Sequence, residues 1–305
     1  MGGDVTEPGR RAGPTGDPAE LSPPDTPRYS PDWLTLREGA DADARSTELA
    51  GALSAYLSAR RSPGRPLVVH DLGCGTGSMG RWLAGRLPGP QHWVLHDRDP
   101  GLLDLAAAGL PRVCADGGSV TVETRRGDLT GLTATALGGA SLVTASALLD
   151  LLTDGEVDRL ADTCVAVGAP ALFALSVVGR VELTPAEEFD AEVAAAFDAH
   201  QRRAVGGRRL LGPAAVAAAT GAFGARGAEV RVHDTPWRLG PGRSALTAEW
   251  LRGWVAAAVE HRPELAAPAG EYLRRRLAAC AEGRLTAVVG HADLLALPPN
   301  GGAAR

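Results

Sequence analysis

Positions 68 to 77 read Val68, Val69, His70, Asp71, Leu72, Gly73, Cys74, Gly75, Thr76 and Gly77. An apolar run that stops in glycines and passes straight into a helical pattern brings bare backbone to the carboxyl edge of a sheet, where open α/β sheets hold ligands. The chemistry open to this segment is the cradling of a nucleotide-like ligand. The glycines leave its identity undecided, because Gly75, Gly77 and Gly80 also satisfy the dinucleotide spacing GxGxxG. With the turn placed at Gly73, Asp71 ends the strand, where its carboxylate receives loop N–H groups or reaches a cationic amine.

Other strand ends carry polar groups in the same way. Asp97 and Arg98 follow the run 93–96, Asp128 and Leu129 follow 120–124, and Ser146 closes 141–146. The elements that must position them alternate: strands at 67–72, 93–96, 120–124, 141–146 and 171–178, with helices at 78–87 and 101–108 and one opening at a capping box, Thr153 with Glu156. Strand-helix alternation demands parallel crossovers with helices on both faces of a sheet, a doubly wound α/β fold. Ahead of it, 33–57 carries a helical rhythm that reads as one broken helix or two short ones. Behind it, Thr184-Pro185-Ala186-Glu187 reads as a second capping box opening a helix with the stripe Phe189, Val193 and Phe197. A helix after Gly212-Pro213, a strand at 229–233, helices near 245–262 and 266–281 and a last strand near 285–290 complete the pattern. Residues 1–28 and 299–305 lack the apolar content to offset chain entropy and are expected to be disordered.

Taken together, Asp71-Leu72-Gly73-Cys74-Gly75-Thr76-Gly77, Asp97-Arg98-Asp99-Pro100, Gly127-Asp128-Leu129 and 141–150 resemble the four motifs of class I S-adenosylmethionine-dependent methyltransferases, in order and spacing. The resemblance is strong over 65–180. It implies a Rossmann-like, mostly parallel sheet of seven strands and S-adenosyl-L-methionine as cofactor. It implies cofactor contacts from Asp71, Leu72, Gly73, Cys74, Gly75, Gly77, Asp97, Arg98, Asp128, Leu129 and Ser146. In the family the acid at Asp97 grips both ribose hydroxyls, a task that suits an acceptor-only carboxylate, and the acid at Asp128 accepts from the adenine amino group. Ser141 stands where the family often has Asp, a departure of local consequence. A single domain over 29–298 follows, with cap helices at 29–64, a cofactor core at 65–180 and helical lid insertions at 181–228 and 241–282. The second insertion and the Arg-bearing N-terminal helix are weakly similar to the trans-aconitate methyltransferase group.

Methyl transfer from a sulfonium is an in-line displacement needing alignment and, for a poor nucleophile, a base. Asp150, after the fourth strand, and His200, on a helix placed to roof the pocket, are the candidate bases. Arg180, leaving the fifth strand, is a candidate clamp for an acceptor carboxylate, Trp237 a candidate pocket wall, and Arg37 a candidate partner for the cofactor's carboxylate. Each has an ordinary structural alternative: a solvated Asp, a boundary His, a surface Arg, a core Trp, and an Arg paired with Glu38 or Asp41. Arg274-Arg275-Arg276 reads as a solvated helix face.

A net charge of −5 and 4% aromatic residues disfavour nucleic acid as partner. The chain has no apolar run long enough for a membrane span and no secretory signal, and its four cysteines, at 74, 114, 164 and 280, have no metal or disulfide spacing. A cytoplasmic monomer or homodimer acting on a small-molecule acceptor, an anionic one included, is the expectation. A non-catalytic cofactor-binding sensor and an NAD-dependent oxidoreductase stay open. All basic residues are Arg, so a positive group facing an acceptor is Arg or His.

Overall fold

Strand β1 (Leu67–Leu72) lies inside the main sheet and is buried along almost its whole length, His70 and Asp71 included, as a parallel strand covered on both faces is. The structure is a computed structural model describing residues 29–62, 64–129 and 132–299. The expected disorder of 1–28 and 299–305 falls, all but Pro299, outside the described residues. β2 (Gln91–Asp97) and β4 (Leu142–Ser146) flank β1 in parallel, β3 (Val120–Arg126) lies beyond β2, and β5 (Ala171–Thr184) beyond β4. After the short hairpin β6 (Ala204–Val205) and β7 (Arg208–Arg209) come β8 (Glu229–Asp234), β9 (Trp237–Leu239) and β10 (Thr286–Leu297). β10 runs antiparallel between β5 and β8, and β9 pairs its first part. The order β3-β2-β1-β4-β5-β10-β8 is the doubly wound, mostly parallel sheet of seven strands that the sequence implied, with β9 beside it.

The N-terminal rhythm resolves into two helices, α1 (Pro31–Ala44) and α2 (Thr47–Arg60), separated at Arg45 because Ser46 leaves the helical region and caps α2 by accepting the Leu49 N–H. α2, α3 (Ser78–Ala84) and α4 (Pro100–Gly109) cover one face of the sheet around Leu53, Leu83 and Trp93. α5 (Asp154–Ala166), opened by the Thr153–Glu156 capping box, and α7 (Ala215–Ala225) cover the other around Val143, Phe173 and Phe223. α7 was expected within a lid, but its Ala215, Ala219 and Phe223 pack onto the sheet instead. A third core joins α6 (Phe189–Gln201), α8 (Ser244–His261) and α9 (Ala266–Ala281) to Ala40 of α1 and to Trp237 of β9.

That third core stands on an arm of the sheet. β5 pairs with β4 only over residues 171–174 and continues beside β10 to Thr184, so residues 175–184 reach roughly 30 Å beyond the sheet edge at about 3.3 Å per residue. The departure is built into the backbone: Leu175 has φ +57°, and β10 shifts register between Val289 and His291 and again between Ala292 and Leu294. Such irregularities re-aim a strand. Asp293, 2% exposed, ties the base of the arm by accepting the Leu175 N–H at 2.8 Å, the Ser46 N–H at 2.9 Å and the Thr235 hydroxyl at 2.9 Å.

Two sequence expectations fail here. The capping box at 184–187 does not form, because Thr184 still belongs to β5; Asp190 instead accepts the Glu187 N–H just before α6. Arg276 is not solvated. It is 1% exposed, donates to the Pro185 carbonyl and binds Asp190, while Arg274 and Arg275 do face solvent.

Candidate functional site

The carboxyl ends of β1, β2 and β4 meet the α1–α2 junction at one point. The loop after β1 makes three left-handed turns of backbone, with φ +62° at Gly73, +54° at Gly75 and +84° at Gly77. Side-chain-bearing residues pay strain there, and space forbids them as well: a Cβ on Gly77 would stand 3.0 Å from Ala106 Cα, and one on Gly75 would stand 3.2 Å from Leu34 of α1. The Cys74 N–H donates to the His96 carbonyl and the Gly77 N–H to the Cys74 carbonyl, fixing the loop against β2. Cys74 itself is buried, with its thiol pKa raised by that burial.

Asp97 closes the loop. Its carboxylate oxygens accept from the Gly75 and Asp99 N–H groups, each at 3.0 Å, which leaves a lone pair on each for further O–H donors. Asp71 is different. It is fully buried, neither oxygen has a hydrogen-bond partner, and burial pushes its carboxyl up to about 7, with Asp97 adding to the rise and Arg45 opposing it. The loop N–H groups therefore do not satisfy it, and the remaining partner, a cationic amine, is the one this geometry accommodates.

A buried cation sits beside it. Arg45, 3% exposed, donates to the Ser146 hydroxyl at 3.0 Å and to the hydroxyl and carbonyl of Ser78, while its Nε has no partner. Ser146 is thus held at the end of β4 by an arginine whose one signal in the sequence is its position between the two helices that precede β1. Beyond Ser146, Ala147 takes φ +52°, and the following 3-10 turn, Leu149–Leu151, carries Asp150. Its Oδ1 is buried and unpartnered, and burial raises its carboxyl to about 6, opposed by Arg37. Leu72, Leu129 and Leu148 line a small slot behind Gly73, with Glu156 and Arg159 also lining it. Asp128 at its side is exposed, Arg98 is half-buried, and Asp128 lies within electrostatic range of Arg208.

Across from Asp150 stands a box built from α1 and the arm. Arg37 binds Asp41 at 3.0 Å and lies over the Trp237 ring at 4.9 Å, and the Trp237 Nε1–H also donates to Asp41. The pairing with Asp41 is the ordinary alternative foreseen for Arg37, yet its charge is felt at Asp150, Tyr29 and His291. Tyr29, just before α1, faces the same space; its surroundings and the Asp150 charge raise its phenol, while Arg37, Arg203 and Arg98 lower it.

Three candidates are displaced. Trp237 is 3% exposed, so its ring is lid core, edge-on to Trp33 and tilted against His291, where it backs Arg37; it is not an open pocket wall. Arg180 points to solvent from the arm and pairs with Glu182, because β5 runs on past the sheet edge where the clamp was expected. His200 is turned toward α8, with Nε2 3.3 Å from Glu260 and Nδ1 3.1 Å from Arg203, since α6 packs on α8; burial lowers its pKa. The four cysteines are free and buried.

No family model matches the chain, and no curated protein matches it. Solved structures resemble it at low identity. The cyclopropane synthase MmaA2 from Mycobacterium tuberculosis is 11% identical, with 88% of this chain and 94% of that one covered and a TM-score of 0.45. A SAM-dependent methyltransferase from Geobacter sulfurreducens, in complex with S-adenosyl-L-homocysteine, is 18% identical, with 88% and 99% covered and a TM-score of 0.42. Magnesium protoporphyrin IX methyltransferase from Synechocystis PCC 6803, with bound SAH, is 16% identical, with 69% and 83% covered and a TM-score of 0.39. At these values the likenesses assign no activity to this chain. No described helix is long and apolar enough to cross a membrane.

Proposed function

We propose that this chain is an S-adenosyl-L-methionine-dependent methyltransferase acting on an O, N or C atom of a small-molecule acceptor. The observation that carries the reading is the buried, unpartnered Asp71 carboxylate beside the Arg45 guanidinium at the glycine loop. One charge of each sign, fixed a strand-end apart, fits the ammonium and carboxylate of an amino-acid moiety. Asp97 would accept the two ribose hydroxyls, Asp128 would receive the adenine amino group, and Leu72, Leu129 and Leu148 would enclose the base with Arg98 at its rim. Ser146 and the Ala147 turn would border the methionine chain.

When bound, the cofactor supplies an electrophilic methyl group on a sulfonium sulfur. The residues of the chain do the rest. Asp150 lies one short turn beyond Ser146 and presents an unpartnered carboxylate oxygen at a pKa near neutrality, suited to take a proton from the acceptor. Burial raises the Asp150 carboxyl, and its backbone hydrogen bond and then the charge of Arg37, held by Asp41 and Trp237, act against that rise. α1, whose Leu34 covers Gly75, and the third core exclude water, and alignment alone is worth about 7–11 kcal/mol of barrier.

The test has two halves. S-adenosylhomocysteine is expected to raise the melting temperature of the full chain and to displace any nicotinamide dinucleotide in calorimetric competition; no thermal shift at millimolar ligand would sink the reading. The methyl-labelled cofactor is then expected to label small molecules of a cell extract, and Asp150→Asn to slow that labelling by about 10²–10⁴-fold with S-adenosylhomocysteine binding intact. Binding without any labelling identifies a sensor.

A further inference from the structure

The β6–β7 hairpin brings basic groups from separate elements around one cavity of about 400 Å³: Arg202 and Arg203 at the end of α6, Arg209 on β7, and His261 at the end of α8. That size lies within the range of small-molecule sites. In a chain of net charge −5, this concentration of guanidinium groups calls for a partner. Nearby carboxylates are engaged elsewhere or off to one side. Glu156 accepts both Nε and Nη2 of Arg208, Glu260 faces His200, and Asp198 is an electrostatic neighbour of Arg202. Among the described residues neither Arg203 nor Arg209 has a carboxylate within ion-pairing distance; Arg203 donates to the carbonyl and Nδ1 of His200.

The hairpin is also fastened to the candidate catalytic turn. Arg208 donates to the Leu151 carbonyl, and the Leu211 N–H donates to the Leu152 carbonyl at 2.8 Å, so the hairpin that carries Arg209 is anchored to the segment that carries Asp150.

From this convergence we propose that Arg202, Arg203, Arg209 and His261 form the subsite for an anionic group of the methyl acceptor, a carboxylate or a phosphate. The word acceptor rests on the methyltransferase reading; the anion site does not. Planar guanidinium forks from two elements favour bidentate capture of such a group over a diffuse attraction. With its anion held there, an acceptor lies along the hairpin with its other end toward Asp150. This replaces Arg180 as the source of charge selectivity.

Calorimetric titration of the full chain with citrate, with inorganic pyrophosphate and with neutral glucose, each in the absence and presence of saturating S-adenosylhomocysteine, tests the subsite. At least one anionic probe is expected to bind with a Kd of about 1 mM or tighter and glucose not at all. The probe that binds distinguishes carboxylate from phosphate. Arg209→Gln, on an exposed side chain that bears no load in the fold, is expected to weaken that probe by about tenfold or more, and Arg203→Gln likewise, with S-adenosylhomocysteine affinity unchanged. Failure of both anions to bind, or binding by Arg209→Gln equal to that of the unaltered chain, overturns the subsite. If S-adenosylhomocysteine alone fails to bind while the anion and variant results hold, the cofactor reading falls and the anion site stands.

Discussion

Asp71 offers the sharpest perturbation. In the folded chain its carboxyl is pushed from 3.8 to about 7 by burial, aggravated by Asp97 and relieved by Arg45. The folded state therefore holds this proton more tightly than the unfolded chain does. Its contribution opposes folding as pH rises: absent below about pH 4, growing by about 1.4 kcal/mol per pH unit, and complete at about 4 kcal/mol above about pH 7. A ligand ammonium beside the carboxylate reverses the preference by favouring the charged form. Binding of S-adenosylhomocysteine must then expel the proton wherever the free chain still carries it. The expected result is an affinity that rises by up to about tenfold per pH unit between about pH 5 and 7 and levels off above, with close to one proton released near pH 6. Calorimetry in two buffers of different ionisation heat reads that proton directly. Asp71→Asn should abolish the slope, weaken the ligand at pH 8 by about tenfold or more, and stabilise the ligand-free chain at that pH toward the full 4 kcal/mol or so. Asp150 also titrates near 6, so Asp150→Asn serves as control and should keep the slope. An affinity flat with pH, or an Asp71→Asn chain that retains the dependence, refutes the pairing.

Three other outcomes follow from the same geometry. Arg45→Gln should reduce S-adenosylhomocysteine affinity by about tenfold or more, measured by calorimetry, whereas Arg37→Gln should leave it within about threefold because Arg37 faces Asp150 and Trp237. Gly77→Ala places a side chain at φ +84° against Ala106 and should cost about 1–3 kcal/mol of stability in urea unfolding, together with ligand binding. Arg276→Ala leaves Asp190 without its buried cation and should destabilise the chain by about 3–5 kcal/mol, lowering the urea midpoint, with cofactor affinity little changed.

The platform was legible because its signals are local. A glycine is needed wherever backbone turns left-handed, so the run Gly73, Gly75, Gly77 announces the loop, and an apolar run with an acid at its end announces a buried strand opening onto a ligand edge. Asp71, Asp97 and Ser146 stand at strand ends where they were expected. The lid was not legible, since its geometry depends on pairings between distant segments. Nothing in the composition of 171–184 says that the strand continues past the sheet, because that depends on β10 being there to pair with it and on Asp293 holding Leu175 in an unusual conformation. Once the arm is present, Arg180 is carried away from the site and Trp237 is packed inside.

Charged side chains show the same division. Arg37, Arg45, Arg203, Arg209 and Arg276 are one residue type. Folding gives them different surroundings: Asp41 and Trp237 around the first, Ser78 and Ser146 around the second, an open basic cavity around the next two, and Asp190 around the last. The sheet, the loop and the acids along its edge follow from backbone conformation and periodic burial, which act within a few residues. Which arginine meets which charge does not. Electrostatic energy depends on distance and desolvation between groups up to hundreds of residues apart, and those are fixed only when the arm and its helices close over the platform.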